Sequence, residues 1–266
     1  MPPHETRDAH AIGAGHGAWR AHPLHDAAWR ALDAKTKPRG ALGALEPLAV
    51  QLACLQATLV PHVETARALV FAADHGVARP AGVVAAMVRR GSRNLRLEAA
   101  MTAAECDAAM AAGADAVRRA VDDGCDAVLL GEMGIGNTTA AAALTSALTG
   151  APPVRTVGRG TGIDDGTLAH KRAVVAEALA RHAARLATPR GALEAVGGLD
   201  LAAMAGAAIA GAEARRVVVV DGYIATAAAL VAVALAPATR RALVFAHRGA
   251  EPGHAIALDA LDARPL

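Results

Sequence analysis

Aromatic side chains are scarce in this chain: two Trp, one Tyr and two Phe among 266 residues, 2% in all. Apolar residues nevertheless make up 54%, so the core must be Ala, Val and Leu packed closely. An excess of one charge is lacking too. Lys plus Arg number 27 against 25 Asp plus Glu, a net +2 with no basic stripe, which removes the electrostatic case for a nucleic-acid partner. Only three cysteines occur, Cys54, Cys106 and Cys125, far apart and without a CxxC. That excludes a disulfide frame and a zinc site and reads as buried small hydrophobes in a reducing compartment. The first ten residues, MPPHETRDAH, hold no apolar stretch of the kind a secretory leader needs. The uncharged run Gly222 to Thr239 is 18 residues long, but it follows a strand and has Pro237 near its end. A buried α/β helix suits it better than a membrane span. The expectation is a soluble cytoplasmic protein without membrane or nucleic-acid partners.

What is present is glycine in revealing places. GEMGIGNTT, Gly131 to Thr139, follows the apolar run Ala127 to Leu130 and precedes the small-residue run Ala140 to Leu144. This is a strand, a tight turn and a helix start. Three glycines in six positions let the main chain approach a ligand where a Cβ would collide. The amides of the opening helix then face an anion. The alternative is a turn needed only for close strand–helix packing. The pattern recurs: Ala66–Ala73 runs into Asp74-His75-Gly76, Arg216–Val220 into Asp221-Gly222, and Ala242–Ala246 into HRGAEPGH. Near-continuous apolar strands separated by helices predict an α/β fold, with a doubly wound, mainly parallel, Rossmann-like sheet covered on both faces. Its ligands would sit beyond the carboxyl ends of the strands.

Helix signals are equally local. Thr102 and Glu105 form a capping box ahead of a helix ending near Gly124. Asp164 or Asp165 caps a second, to about Arg185, and Asp200 a third, to about Arg215. Leu42, Leu45, Leu48, Leu52, Leu55 and Leu59 recur at steps of three and four, an amphipathic helix. Residues 1–62 therefore read as a tail and small helical subdomain beside an α/β domain over 63–266.

Further candidates for the site follow from the loops that converge. VGRGTGID, Val157 to Asp164, and GGLD, Gly197 to Asp200, offer more backbone amides. Several amide-rich turns with few cations suggest a nucleotide held mainly by main chain, yet no Walker motif and no GxGxxG with a downstream acid is present. Glu251, between Gly249 and Pro252-Gly253 at a strand end, is the candidate general base, since partial burial raises a carboxyl pKa. Its alternative is an acid favoured by the dipole of the next helix. Glu132 either orients its turn through backbone amides or meets ligand. Asp74 and Asp221 either cap helices or touch ligand. His75 and His247 stand just past strand ends, where a loop histidine with satisfied partners is the commoner case. His4, His10, His16, His22 and His25 lie on no single helical face with a completing ligand set, so no metal is expected.

In order along the chain, KPRGALGALEPLAVQLACLQ (Lys37 to Gln56), VFAADHGVA (Val70 to Ala78), GSRN (Gly91 to Asn94), GEMGIGNTTAAAAL, VGRGTGIDD, GGLDLAAMAGA, VVVDGYIATAAAL and VFAHRGAEPGH resemble the nicotinate-nucleotide–dimethylbenzimidazole phosphoribosyltransferase family. The resemblance implies transfer of phosphoribose from nicotinate mononucleotide to 5,6-dimethylbenzimidazole, giving α-ribazole 5′-phosphate and nicotinate. It implies a Rossmann-like homodimer with a small helical domain and no cofactor or metal. Glu251 then falls on the catalytic base. Gly131, Glu132, Met133, Gly134, Ile135, Gly136, Asn137 and Thr138, with Gly160, Thr161 and Gly162, fall on the phosphate and ribose contacts. Lys171 falls on the lysine after the GTGID block, and Gly197, Gly198 and Asp221 complete the expected substrate-binding set. The family's Ser-x-Tyr-Pro-Gln stretch, which lines the benzimidazole pocket, and the strand after it are missing. Only Val77 to Arg90 separate Gly76 from Gly91, and Gly249 replaces the serine before AEPGH. A nucleotide binder without transferase activity is thus the alternative, and the lost strand would bare a sheet edge.

Overall fold

The computed structural model describes residues 19–72, 88–160 and 162–266. Four strands form one parallel sheet in the order β1-β2-β3-β4: β1 (Ala66–Ala72), β2 (Ala127–Met133), β3 (Val217–Val220) and β4 (Leu243–Phe245). Parallel neighbours need long crossovers, and ten helices supply or flank them among the described residues. They are α1 (His25–Asp33), α2 (Leu45–Gln56), α3 (Ala103–Asp122), α4 (Asn137–Thr149), α5 (Pro153–Thr156), α6 (Asp165–Arg181), α7 (Pro189–Val196), α8 (Leu199–Glu213), α9 (Gly222–Leu235) and α10 (Pro252–Ala260). Leu130 pairs with Val220 and Val220 with Phe245, so the loops after β2, β3 and β4 leave the sheet at one end. The α/β class and the parallel sheet are as expected.

Small residues make the core possible. A Cβ on Gly113 of α3 would stand 1.8 Å from the Ala203 carbonyl oxygen, and one on Gly206 of α8 would stand 2.1 Å from that of Met110. The two helices meet backbone to backbone, which a core of large aromatics would forbid. Helix α9 is buried from Tyr223 to Ala232, the place the long uncharged run was expected to fill. Among the described residues no helix is long and apolar enough to cross a membrane. Thr102 and Glu105 make the expected capping box on α3, and Asp164 caps α6 by accepting from Thr167 N–H at 2.7 Å. The three cysteines are free and buried, and burial pushes the Cys106 thiol up to about 12.

Three expectations need correction. The leucine stripe is only in part the buried face of α2: Leu55 is buried and Leu48 and Leu52 pack half-buried against the core. Leu45 is 59% exposed, Leu42 and Leu59 lie outside α2, and the buried positions are Glu46, Pro47, Val50, Gln51, Ala53, Cys54 and Leu55. Polar anchors turned the helix. Glu46 accepts from Lys37 Nζ at 2.7 Å and from the Gly40 and Leu42 amides, while Gln51 donates to the carbonyls of Arg241 and Leu243, both at 3.0 Å. A buried polar group must find partners, and these are worth more than the exposed leucines. Second, β1 is not covered on both faces like its neighbours: its residues alternate between exposed and half-buried, and Val70 is 66% exposed. Among the described residues it is an edge strand; Asp74 and His75 fall in 73–87, which lie outside the described residues. Third, the cap of α8 is Gly198. Asp200 sits inside the first turn and makes no cap bond.

Candidate active site

The turn after β2 is the first half of the site. Gly136 precedes α4 in the left-handed region, at φ 90°, so a glycine is required to swing the α4 amides round. Asn137 opens the helix and its Nδ2 donates to two carboxylates, Glu132 Oε2 at the end of β2 and, at 3.2 Å, Asp200 Oδ2 of α8. Burial pushes the Glu132 carboxyl above its ordinary range, and the Asp200 charge adds to this; Asn137 and the Gly134 amide act the other way. Both readings of Glu132 thus have a physical basis, since it orients the turn and remains a perturbed acid in a cleft. Met133 and Ile135, 67% and 89% exposed, present apolar surface at the tip of the turn.

The second half is the turn 158–162. Gly160 and Gly162 have φ of 55° and 106°; Thr161 lies outside the described residues. Glu251 is the residue before α10, yet its side chain makes no cap bond there. Instead its Oε1 accepts from the Gly160 N–H at 2.7 Å, across the two turns. Its Oε2 is buried and has no hydrogen-bond partner among the described residues. A Cβ on Gly158 would stand 2.2 Å from that oxygen and 2.6 Å from the Pro252 ring. Gly158, which the sequence reading passed over, is therefore what lets the carboxylate come this close. Lys171 of α6 completes the group: its Nζ donates to Thr138 Oγ1 at 2.8 Å and to the Gly158 carbonyl at 3.2 Å. Burial lowers the Lys171 pKa and the Glu251 charge opposes that. Through Thr138, the second residue of α4, Lys171 links the two glycine turns.

The remaining candidates sit around this centre. Gly198 precedes α8, where its amide neighbour Leu199 N–H donates to Ser92 Oγ at 3.0 Å, and Gly197 ends α7 with a Cβ position 2.4 Å from the Leu193 carbonyl oxygen. Close packing is thus a sufficient reason for Gly197. Asp221 stands at the N-cap position of α9, but its side chain makes no cap bond. Its Oδ1 lies 3.3 Å from His247 Nδ1, on the exposed rim. His247 stacks edge-on to His254, ring centres 6.0 Å apart. His254 is fully buried. Its Nδ1 accepts from the Gly249 N–H at 2.9 Å, and its Nε2 lies 3.1 Å from Thr226 Oγ1, whose hydroxyl donates to the Gly222 carbonyl at 2.7 Å. The tautomer is therefore the Nε2–H form. Burial above all, then the neighbouring His247 and Arg248, pushes the His254 pKa down to about 4. This neutral imidazole ties down the loop that carries Glu251. The only sequence signal for it was its place in the AEPGH block. Among the described residues no group of His, Cys, Asp and Glu is arranged to hold a metal ion.

A parallel α/β body with a carboxylate and a lysine over paired glycine turns is the class that fold and site define, and the family model that matches the chain is described as phosphoribosyltransferase. It matches residues 20–87 and again 80–266. The chain belongs to the nicotinate-nucleotide–dimethylbenzimidazole phosphoribosyltransferase family. It is 44% identical to the protein of that name from Pseudomonas aeruginosa strain PAO1 over 283 positions, which take in 88% of this chain and 81% of the relative. It is 42% identical to that from Bradyrhizobium sp. strain ORS 278, covering 87% of this chain and 80% of the relative. The crystal structure of CobT from Thermus thermophilus superposes with a TM-score of 0.86 at 38% identity, over 92% of this chain and 88% of that one. The two matches overlap at 80–87, within the short segment between Gly76 and Gly91. Since the 283 aligned positions outnumber the chain's 266 residues, the Pseudomonas relative carries positions with no counterpart here.

Proposed function

We propose that the protein transfers the phosphoribosyl group of nicotinate mononucleotide to 5,6-dimethylbenzimidazole, releasing nicotinate and α-ribazole 5′-phosphate. The names of the relatives support the substrates. The observation that carries the chemistry is the orphaned Glu251 Oε2: a buried carboxylate oxygen without a donor costs free energy unless a ligand N–H fills the place. In this reading the acceptor's ring N–H meets Oε2 while Gly160 holds Oε1. A benzimidazole nitrogen attacks C1′, the bond from C1′ to the nicotinate nitrogen breaks, and Glu251 takes the acceptor's proton. Lys171, Thr138 and the amides of both glycine turns cradle the phosphate and ribose, with Glu132 at the sugar hydroxyls. Gly197, Gly198 and Asp221 border the nucleotide. Met133 and Ile135 offer an apolar face to the aromatic rings. No cofactor enters these steps. The helices before residue 62 form a subdomain beside an α/β body starting at 63, and the exposed β1 edge supports a homodimer. The reduced, buried cysteines support a cytoplasmic setting.

The short segment 77–90, where the two family matches overlap, favours one other reading, a nucleotide binder that cannot hold the acceptor. Nicotinate release from nicotinate mononucleotide and dimethylbenzimidazole separates the two. The enzyme reading expects release by the wild type and a loss of about 10²–10⁴-fold in Glu251→Gln. Nucleotide binding without release in either protein supports the binder.

A further inference from the structure

We propose that Asp200 is a positioning residue for the reaction: through the Asn137 amide it sets the place of the Glu132 carboxyl and ties the first turn of α8 to the start of α4. Three separate elements meet at one side-chain amide, whose two hydrogens serve one carboxylate each. An acid in the first turn of a helix is ordinarily accounted for by the dipole. Asp200 goes further than that account. It is 8% exposed, makes no cap bond, and reaches out of its own helix to Asn137. Its carboxylate is wedged against two glycines: a Cβ on Gly198 would stand 2.6 Å from Oδ1, and one on Gly134 3.3 Å from Oδ2. Both glycine blocks are thus shaped around this carboxylate as well as around any ligand.

Two consequences follow. The Asn137–Asp200 bond holds the first residue of α4, and the next residue, Thr138, is the one that Lys171 grips, so the link reaches the second turn. In addition, the Asp200 charge on the shared donor opposes ionisation of Glu132. Among the described residues Asp200 is the charged group that acts on Glu132; the other influences are burial, Asn137 and the Gly134 amide. The Asp200 charge therefore raises the pH at which Glu132 ionises above what it would be without that charge.

The inference rests on the nucleotide site proposed above, so the test reads both nicotinate release and equilibrium binding of nicotinate mononucleotide, each across pH. Asp200→Asn keeps an acceptor for Asn137 but removes the charge. The expected result is that the pH limb belonging to Glu132 moves to lower pH, and that Glu132→Gln lacks this limb, with no further change when the two are combined. Asp200→Ala removes the bond, and KM for the nucleotide should rise about tenfold with a smaller change in kcat. Parental pH profiles in Asp200→Asn overturn the proposal, as does a parental nucleotide KM and affinity in a folded Asp200→Ala. If Asp200→Ala fails to fold, Asp200→Asn decides. A wild type that binds the nucleotide but releases no nicotinate overturns the transferase reading only, and the binding profile still judges Asp200. A wild type that binds no nucleotide overturns both.

Discussion

The two glycine turns solve the same problem with opposite chemistry. The turn after β2 is ringed by acids, Glu132 and Asp200, pinned by one neutral amide. The turn 158–162 holds one acid, Glu251, and is balanced by Lys171. A phosphate would be repelled at the first unless its acids were protonated or turned to sugar hydroxyls, and attracted at the second. Glycine also does different work in each. In the second turn it makes room for the carboxylate that would react; in the first it bends the chain and accommodates a supporting one.

Substitutions can break this contrast, beginning with the largest effect. Gly158→Ala would drive a methyl into both the Glu251 carboxylate and the Pro252 ring. The ring cannot yield, so Glu251 must shift, and kcat for nicotinate release should fall by about 10²-fold with nucleotide affinity little changed. Lys171→Met removes the cation that bridges the turns; loss of a charge-assisted bond should raise the nucleotide KM about tenfold or more. Gly134→Ala meets softer neighbours, the Asn137 amide at 2.9 Å and Asp200 at 3.3 Å. A fall of only a few-fold in kcat/KM is expected, and a loss as large as in Gly158→Ala would erase the distinction between the turns.

The smallest effect concerns stability. His254 has a folded pKa near 4, below the ordinary histidine value of 6.5, so the unfolded chain binds its proton more readily. Its contribution is complete above pH 6.5 and is lost as pH falls toward 4. His254→Gln should flatten the dependence of Tm on pH in that window, measured by thermal melts at constant ionic strength. An unchanged slope would show that His254 is not titrating as its burial demands.

Much of this was legible along the chain because the signals are local. The capping box of Thr102 and Glu105 needs only the four residues 102–105, and the strand before the 131–139 turn needs about ten. Glu251 was legible as a chemical candidate from its stiff flanks, but both of its neighbours across the site come from residues about ninety positions away. The leucine pattern was right for Leu48, Leu52 and Leu55 and wrong for Leu45 for a related reason. Periodicity finds an apolar face, whereas the face that is buried depends on where Glu46 and Gln51 find partners, and Gln51 finds them about 190 residues on. Asp200 looked like a helix cap because its spacing allows one; only the approach of α4 gives it a different partner.

From its order of residues alone this chain is committed to a parallel α/β architecture, to glycine bends at strand ends, and to a core of small side chains, since each follows from short-range sterics and periodicity. Only the folded molecule decides that Glu251 reaches across to Gly160 while its other oxygen has no partner among the described residues, and that two acids share one amide. Those outcomes depend on which distant groups arrive at the same place, and burial makes each pairing count because water is no longer there to replace it.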